Sequence, residues 1–180
     1  MLTPPESIVG TNIRLRRSTP DDAAAVFRVA ADPEVMRFME WPAHESVADA
    51  EVYMNGCADR WAAGVEYHWA IESRAGGPLL GCIACRVRSH AADFGYFVGR
   101  SSWGKGVATE AASLLVGWLG TQASILRIWA TTDVENIRSA KVLERVGLQR
   151  EGILRMATCR PNMGGPPRDT AVYALCRTHA

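Results

Sequence analysis

Trp103-Gly104-Lys105-Gly106-Val107-Ala108-Thr109-Glu110 is the stretch on which the reading of this chain turns. Upstream, Phe94 to Val98 is a short apolar strand. Downstream, Ala111, Leu114, Leu115 and Trp118 recur at i, i+3, i+4 and i+7, the spacing of an amphipathic helix. Glycines between a strand and a helix let the backbone come close to a ligand, and the first amides of the helix point outward without partners. Those amides, with the helix dipole, favour a phosphate or pyrophosphate. Two glycines at a helix start also serve as an ordinary turn, so the loop needs a second signal. It is not a Walker loop, because Lys105 is followed by Gly106 rather than Ser or Thr. Nor is it a Rossmann fingerprint, which needs a third glycine and an acid about 20 residues on.

Working outward, Asn12 to Arg16 alternates with period two and reads as a strand. Thr19-Pro20-Asp21-Asp22 starts a helix through Ala30, which Asp32-Pro33 interrupts. Ser46, with Asp49 three residues on, caps a second helix that runs through Trp61. Tyr67–Glu72, Leu79–Val87 and Phe94–Val98 are strands joined by short turns, Ser73–Gly77 and Arg88–Ala92, and so form an antiparallel meander. After the helix from 107, Ile125–Thr132 is a strand and Asn136–Val146 a helix closed by Gly147. Gly152–Cys159 and Ala171–Cys176 close the chain as strands around the loop 160–168. The order βααβββαβαββ predicts an α+β fold, a mixed α/β sandwich in a single domain over 1–180 with its core at about 12–177.

Composition bounds the function. The chain has 180 residues, with 20 Lys+Arg against 19 Asp+Glu, enough for one core and too evenly charged for non-specific nucleic-acid binding. No apolar run approaches the ~20 residues of a membrane span, and the first ten residues lack the pattern of a signal peptide. Five irregularly spaced cysteines suit a reducing, cytoplasmic setting. Cys82 and Cys85 would point to opposite faces of a strand, and no second Cys/His pair follows, so no metal site is expected. The four histidines and Trp41, Trp61 and Trp69 read as loop, core or rim residues. Charge is uneven: eleven acids face three arginines between Asp21 and Glu72, a net −8, while the chain from Asp133 onward carries a net +3. An acidic front and a basic rear can hold a cationic ligand at one end and a polyanion at the other.

The second signal lies about thirty residues on. In Thr132-Asp133-Val134-Glu135-Asn136-Ile137-Arg138-Ser139-Ala140-Lys141, Asn136 sits at a helix start and shares a face with Ser139. Asn136 is also a competent cap. The only two lysines, Lys105 and Lys141, fall in these two segments. Together with Gly95-Tyr96-Phe97-Val98, Val142 to Leu148 and the late Asp169 to Leu175, this order of motifs resembles the GNAT N-acetyltransferase superfamily, most closely its RimJ/RimL-like branch.

The resemblance implies a mostly antiparallel sheet that splays at a cofactor cleft, with helices on both faces and acetyl-CoA (coenzyme A) in the cleft. Its pantetheine arm would pair with the backbone of Phe97 and Val98 and hydrogen-bond Asn136. Its pyrophosphate would rest on the amides of Gly104, Lys105, Gly106, Val107, Ala108 and Thr109, with Trp103 also at the cofactor and Lys141 or Arg145 near the nucleotide phosphate. The superfamily has Gln or Arg three residues before the first glycine; here Ser101 stands there and Arg100 is displaced by one. An amine attacking a thioester needs a stabilised oxyanion and a proton for the leaving thiolate. Ser139 is the candidate donor to the thiolate, and Glu110 the candidate acid that deprotonates the amine through water. The implied enzyme moves an acetyl group by direct attack onto a cationic acceptor: a protein N-terminus, a polyamine or an aminoglycoside-like amine. Two alternatives stand beside it, a non-catalytic acyl-CoA-binding regulatory module and a phosphate-loop module for another nucleotide. Monomer and homodimer are both open.

Overall fold

A computed structural model describes residues 2–177. The eight strands are β1 (Ser7–Val9), β2 (Ile13–Arg17), β3 (Glu66–Ser73), β4 (Gly81–Arg88), β5 (Ala91–Val98), β6 (Arg127–Asp133), β7 (Gln149–Thr158) and β8 (Arg168–Cys176). The helices are α1 (Ala23–Ala30), α2 (Pro33–Met36), α3 (Val47–Ala62), α4 (Val107–Thr121) and α5 (Ile137–Arg145). The strands form one sheet in the order β1-β2-β3-β4-β5-β6-β8-β7. Every neighbouring pair is antiparallel except β5–β6, which is parallel.

That parallel pair positions the site. Its register joins only Ala91–Asp93 to Arg127–Trp129. Beyond it β6 continues to Asp133 against β8, while β5 continues to Val98 against β4. From Phe94 onward the two strands therefore part, and one edge of β5 loses its ladder partner. Gly81 holds the other side of β5: a Cβ there would lie 2.2 Å from the Phe97 carbonyl oxygen and 2.8 Å from the Val98 Cα. Only glycine lets β4 approach β5 so closely beside the gap.

Strand alternation divides the core in two. Trp69, Ile71, Ile83 and Cys85 pack beneath α4 with Leu115 and Leu119. Cys82 and Phe97 face the other side, under Val26, Met36 and Met54 of the first three helices. Each fully buried leucine contributes roughly 1.5–3 kcal/mol of apolar transfer free energy. Trp61, Trp69 and Trp118 meet edge to face at 5.1 and 5.6 Å inside the first cluster. Cys82 and Cys85 thus serve two separate cores, as a three-residue offset in a strand requires.

The structure adds to the expected order. β1 is a three-residue edge strand, too short for its period to show. Asp32 does not simply break the first helix: its carboxylate accepts from the Glu34 N–H at 3.0 Å and starts the single turn α2. Ala91 and Ala92 belong to β5 rather than to a turn, because Ser89 alone takes the positive φ (55°) that reverses the chain. β7 starts at Gln149 and β8 at Arg168, each three residues before the expected strand. Among the described residues no helix is long and apolar enough to cross a membrane. His179 lies outside the described residues.

Candidate functional site

The parting of β5 and β6 opens a cleft of about 1330 Å³ whose two halves differ in chemistry. One half is built by the starts of α4 and α5. Gly104 and Gly106 hold φ of +73° and +80°, and no atom lies within 4 Å of where either Cβ would be. Gly106 is the N-cap of α4, and the first intrahelical bond runs from the Glu110 N–H to the Gly106 carbonyl at 2.9 Å. The amides of Val107, Ala108 and Thr109 therefore precede the helix ladder, at its positive end. All three residues line the cleft, with Phe97, Val98, Trp103 and Asn136. The Trp103 indole N–H donates to the Val98 carbonyl at 2.7 Å, fixing the loop against the free end of β5. Arg138, Lys141 and Arg145 of α5 also line this half, and the Arg138 guanidinium lies 4.7 Å over the Trp103 ring. An open, glycine-walled loop with unladdered amides and three nearby cations fits a diphosphate.

Two nearby cations, neither given a side-chain role by the resemblance, stay outside the cleft. Lys105 is exposed and does not line the cleft, because the left-handed glycines on either side turn its side chain outward. Arg100 is engaged elsewhere, paired with Asp32 at 2.7 Å.

Asn136 caps α5, its Oδ1 accepting from the Ser139 N–H at 3.2 Å. That cap presents Ser139 to the point where β5 leaves β6, where the Tyr96 hydroxyl donates to the Ser139 Oγ at 3.2 Å. Burial pushes the Tyr96 phenol up to about 12, partly offset by its bond to Ser139, so it keeps its proton. Tyr96 escaped the sequence reading as a functional group. Its place inside the Gly95–Val98 motif was the available signal.

Glu110 is not a cleft residue. It lies one turn into α4 and reaches back to the β1–β2 turn, accepting from the Asn12 N–H at 2.8 Å, the Asn12 Nδ2 at 3.1 Å and the Ile13 N–H at 3.4 Å. Burial raises its pKa, but these bonds outweigh burial and hold it below the usual carboxylate value. The stability it supplies is therefore present above that value and lost as pH falls through the depressed one. Glu110→Gln is expected to lower thermal stability at neutral pH by about 1–2 kcal/mol and leave kcat within twofold. Melting curves and steady-state rates check this; a tenfold fall in kcat at unchanged stability would restore it to catalysis.

The other half of the cleft is walled by residues 34–45, α3 and the β7–β8 loop. Trp41 stacks on Tyr53 at 5.9 Å, and the His44 and His68 rings meet Tyr53 edge-on. The Ser18 hydroxyl oxygen lies 2.8 Å from His68 Nδ1 and 3.0 Å from the His68 carbonyl oxygen. His68 Nε2 is hydrogen-bonded to the Tyr53 hydroxyl at 3.0 Å, so both ring nitrogens have partners. Burial, with Arg60 nearby, pulls His68 down to about 4, so this chain is neutral and fixed. Burial also lowers His44. Both histidines, and Trp41, were read from sequence as loop, core or rim. All three line the cleft, where they gather around Tyr53 beside a segment from far along the chain. Asn162 is that segment's latch: its Nδ2 donates to the Met36 carbonyl at 2.7 Å and the Trp41 carbonyl at 2.8 Å, and its Oδ1 accepts from the Ala43 N–H at 2.7 Å.

The acidic stretch thins out on folding. Asp22, Asp32, Glu66 and Glu72 are paired with arginines. Asp49 closes the capping box of α3, accepting from the Ser46 and Glu45 N–H groups, whose bonds lower its pKa. Glu34, Glu40 and Glu45 line the cleft; Glu51 does not. A charge reversal at Asp49 would unmake a helix cap rather than probe a ligand.

Residues 12–149 match the family model described as acetyltransferase (GNAT) domain. The chain is 30% identical over 166 residues to the N-acetyltransferase YoaA of Bacillus subtilis, covering 91% of this chain and 92% of that one. Its fold matches the microcin C7 self-immunity acetyltransferase MccE, solved with acetyl-CoA and AMP, at TM-score 0.85 and 22% identity over 97% of this chain and 98% of that one. Mycobacterium smegmatis RimJ, solved with a CoA disulfide, superposes at TM-score 0.80 with 24% identity, over 91% of this chain and 81% of that one.

Proposed function

We propose, from the premise that this chain belongs to the GNAT acetyltransferase family, that it moves an acetyl group from acetyl-CoA to a primary amine by direct attack within the cleft. The observation that carries this reading is the meeting of three features at one point: the unladdered edge of β5, the open N-terminus of α4 and the Tyr96–Ser139 hydroxyl pair. The β5 edge from Phe94 to Val98 takes the pantetheine arm as an added strand. The amides of Gly106 to Thr109 take the pyrophosphate, and Lys141 and Arg145 its neighbouring charge. Acetyl-CoA supplies the activated thioester.

Ser139 hydrogen-bonds the departing thiolate and passes to it the proton that the attacking amine gives up, so that its own hydroxyl is restored as the C–S bond breaks. Tyr96, hydrogen-bonded to Ser139 and protonated, orients the serine hydroxyl for that transfer. A β5 amide near Val98 polarises the thioester carbonyl. The amine enters past Glu34, Glu40 and Glu45, which favour a cationic approach: a protein N-terminus or a small polyamine- or aminoglycoside-like amine. The setting is the cytoplasm, as monomer or homodimer.

Calorimetric titration with acetyl-CoA, with ATP in parallel, tests the first half of the reading. One-to-one micromolar binding of acetyl-CoA and none of ATP is expected, followed by coenzyme A release with at least one amine of a panel. Binding without turnover on any amine would make the chain an acyl-CoA-binding regulatory module. Binding of ATP instead would overturn the reading.

A further inference from the structure

Arg160 opens the β7–β8 loop and lines the acceptor half of the cleft with only 4% of its side chain exposed. A guanidinium carries five N–H donors and keeps its charge at any working pH. Buried, it should therefore be surrounded by acceptors. Here it is not: its Nε is buried with no hydrogen-bond partner, and Nη1 reaches only Glu40, at 3.4 Å. The nearest buried carboxylate, Asp133, is 4.0 Å from Nε and already occupied. Arg168 donates to it at 2.6 Å, and the Glu135 N–H at 2.9 Å. Two largely buried guanidiniums thus share one fully buried carboxylate, and the balance is left to glutamates more than half exposed.

The position is also fixed. Asn162, two residues on, ties the loop to the wall of the cleft through three hydrogen bonds. The latch holds the backbone from which Arg160 projects against the cleft wall. A preorganised, under-satisfied planar donor at a cleft wall is matched by a carboxylate or a phosphate, which a guanidinium grips through two parallel bonds. Glu40 is the native stand-in, long-bonded and solvent-exposed, hence displaceable.

We propose that Arg160 binds an anionic group, carboxylate or phosphate, carried on the acceptor beside its amine. This rests on the acetyl-transfer reading of the cleft. It narrows the acceptor to molecules bearing both charges and excludes simple polyamines.

The test has two arms. In the first, the coenzyme A-loaded protein is titrated with inorganic phosphate and, separately, acetate, while the arginine Nε–H NMR signals are followed. The Arg160 signal, assigned by its loss in Arg160→Gln, should shift saturably. Glu40→Gln, which removes the competing carboxylate without touching the loop, should lower the midpoint about tenfold. A signal unmoved by both anions in wild type and in Glu40→Gln overturns the proposal. The relative response to the two anions separates a phosphate from a carboxylate ligand. In the second arm, release of coenzyme A is compared for matched amines, O-phosphoethanolamine against ethanolamine and β-alanine against its amide. The charged member should be preferred at least tenfold, and Arg160→Gln should erase the preference by raising KM for the charged member toward that of the neutral one. Equal rates on both members of each pair in wild type overturn the proposal. Saturable anion binding without acetylation of any amine would sink the acetyl-transfer reading and leave the anion site standing.

Discussion

Replacement of Gly106 by valine is expected to weaken acetyl-CoA binding at least a hundredfold while the protein still folds. Gly106 holds φ of +80° as the N-cap of α4, where a β-branched residue carries backbone strain of about 1–3 kcal/mol. Its missing side chain faces open space in front of the amides of Val107 to Thr109. Two methyl groups there would stand between those amides and a diphosphate. Each charge-assisted hydrogen bond lost contributes roughly 1.5–3 kcal/mol, so losing one or two reaches a factor of a hundred or more. Calorimetric titration reads the affinity, and a melting curve reads the strain separately. Gly117→Ala, inside α4 with open space around it, is the control that should bind normally. Affinity unchanged in Gly106→Val would mean that the glycine loop is an ordinary turn.

Ser139→Ala is expected to lower kcat by about a hundredfold to a thousandfold, within the range of a lost proton donor, with acetyl-CoA affinity unchanged within threefold. The cap that holds Ser139 uses its backbone N–H, so α5 survives the substitution. Tyr96→Phe should cost about tenfold in kcat, since it removes the partner that orients the serine rather than the donor itself. With the phenol pushed up to about 12, the hydroxyl stays protonated, so neither effect should vary between pH 6 and 9. Pre-steady-state release of coenzyme A is the readout. A fall confined to KM in Ser139→Ala would reduce that residue to a lining group.

Local chemistry was legible in the sequence, and long-range placement was not. The glycine loop, the helix it starts and the Asn136 cap are written in adjacent residues, so their types and spacings suffice. The break in the β5–β6 ladder depends on a register between strands more than thirty residues apart, and no period in either strand encodes it. Glu110 shows the limit from the other side. An acid in the right motif position looked catalytic, yet its helix face carries it to Asn12, on the far side of the sequence. His44, Tyr53 and His68 share a half of the cleft whose wall, residues 36–43, is pinned from Asn162, some 120 positions downstream. The acidic stretch misled by counting: Arg16, Arg100 and Arg14, brought in from outside it by the fold, pair with Asp22, Asp32 and Glu72.

The Asn162 latch bears on how such an enzyme can change its diet. Three main-chain groups of the 36–43 segment are satisfied by one amide that belongs to a different part of the chain. Transplanting either piece alone into a sister protein would strand those groups, at roughly 1–3 kcal/mol for each one left buried and unmet. New substrate preferences are therefore expected to spread by joint exchange of both pieces, and chimeras that move only one should come out misfolded or indifferent to their substrates.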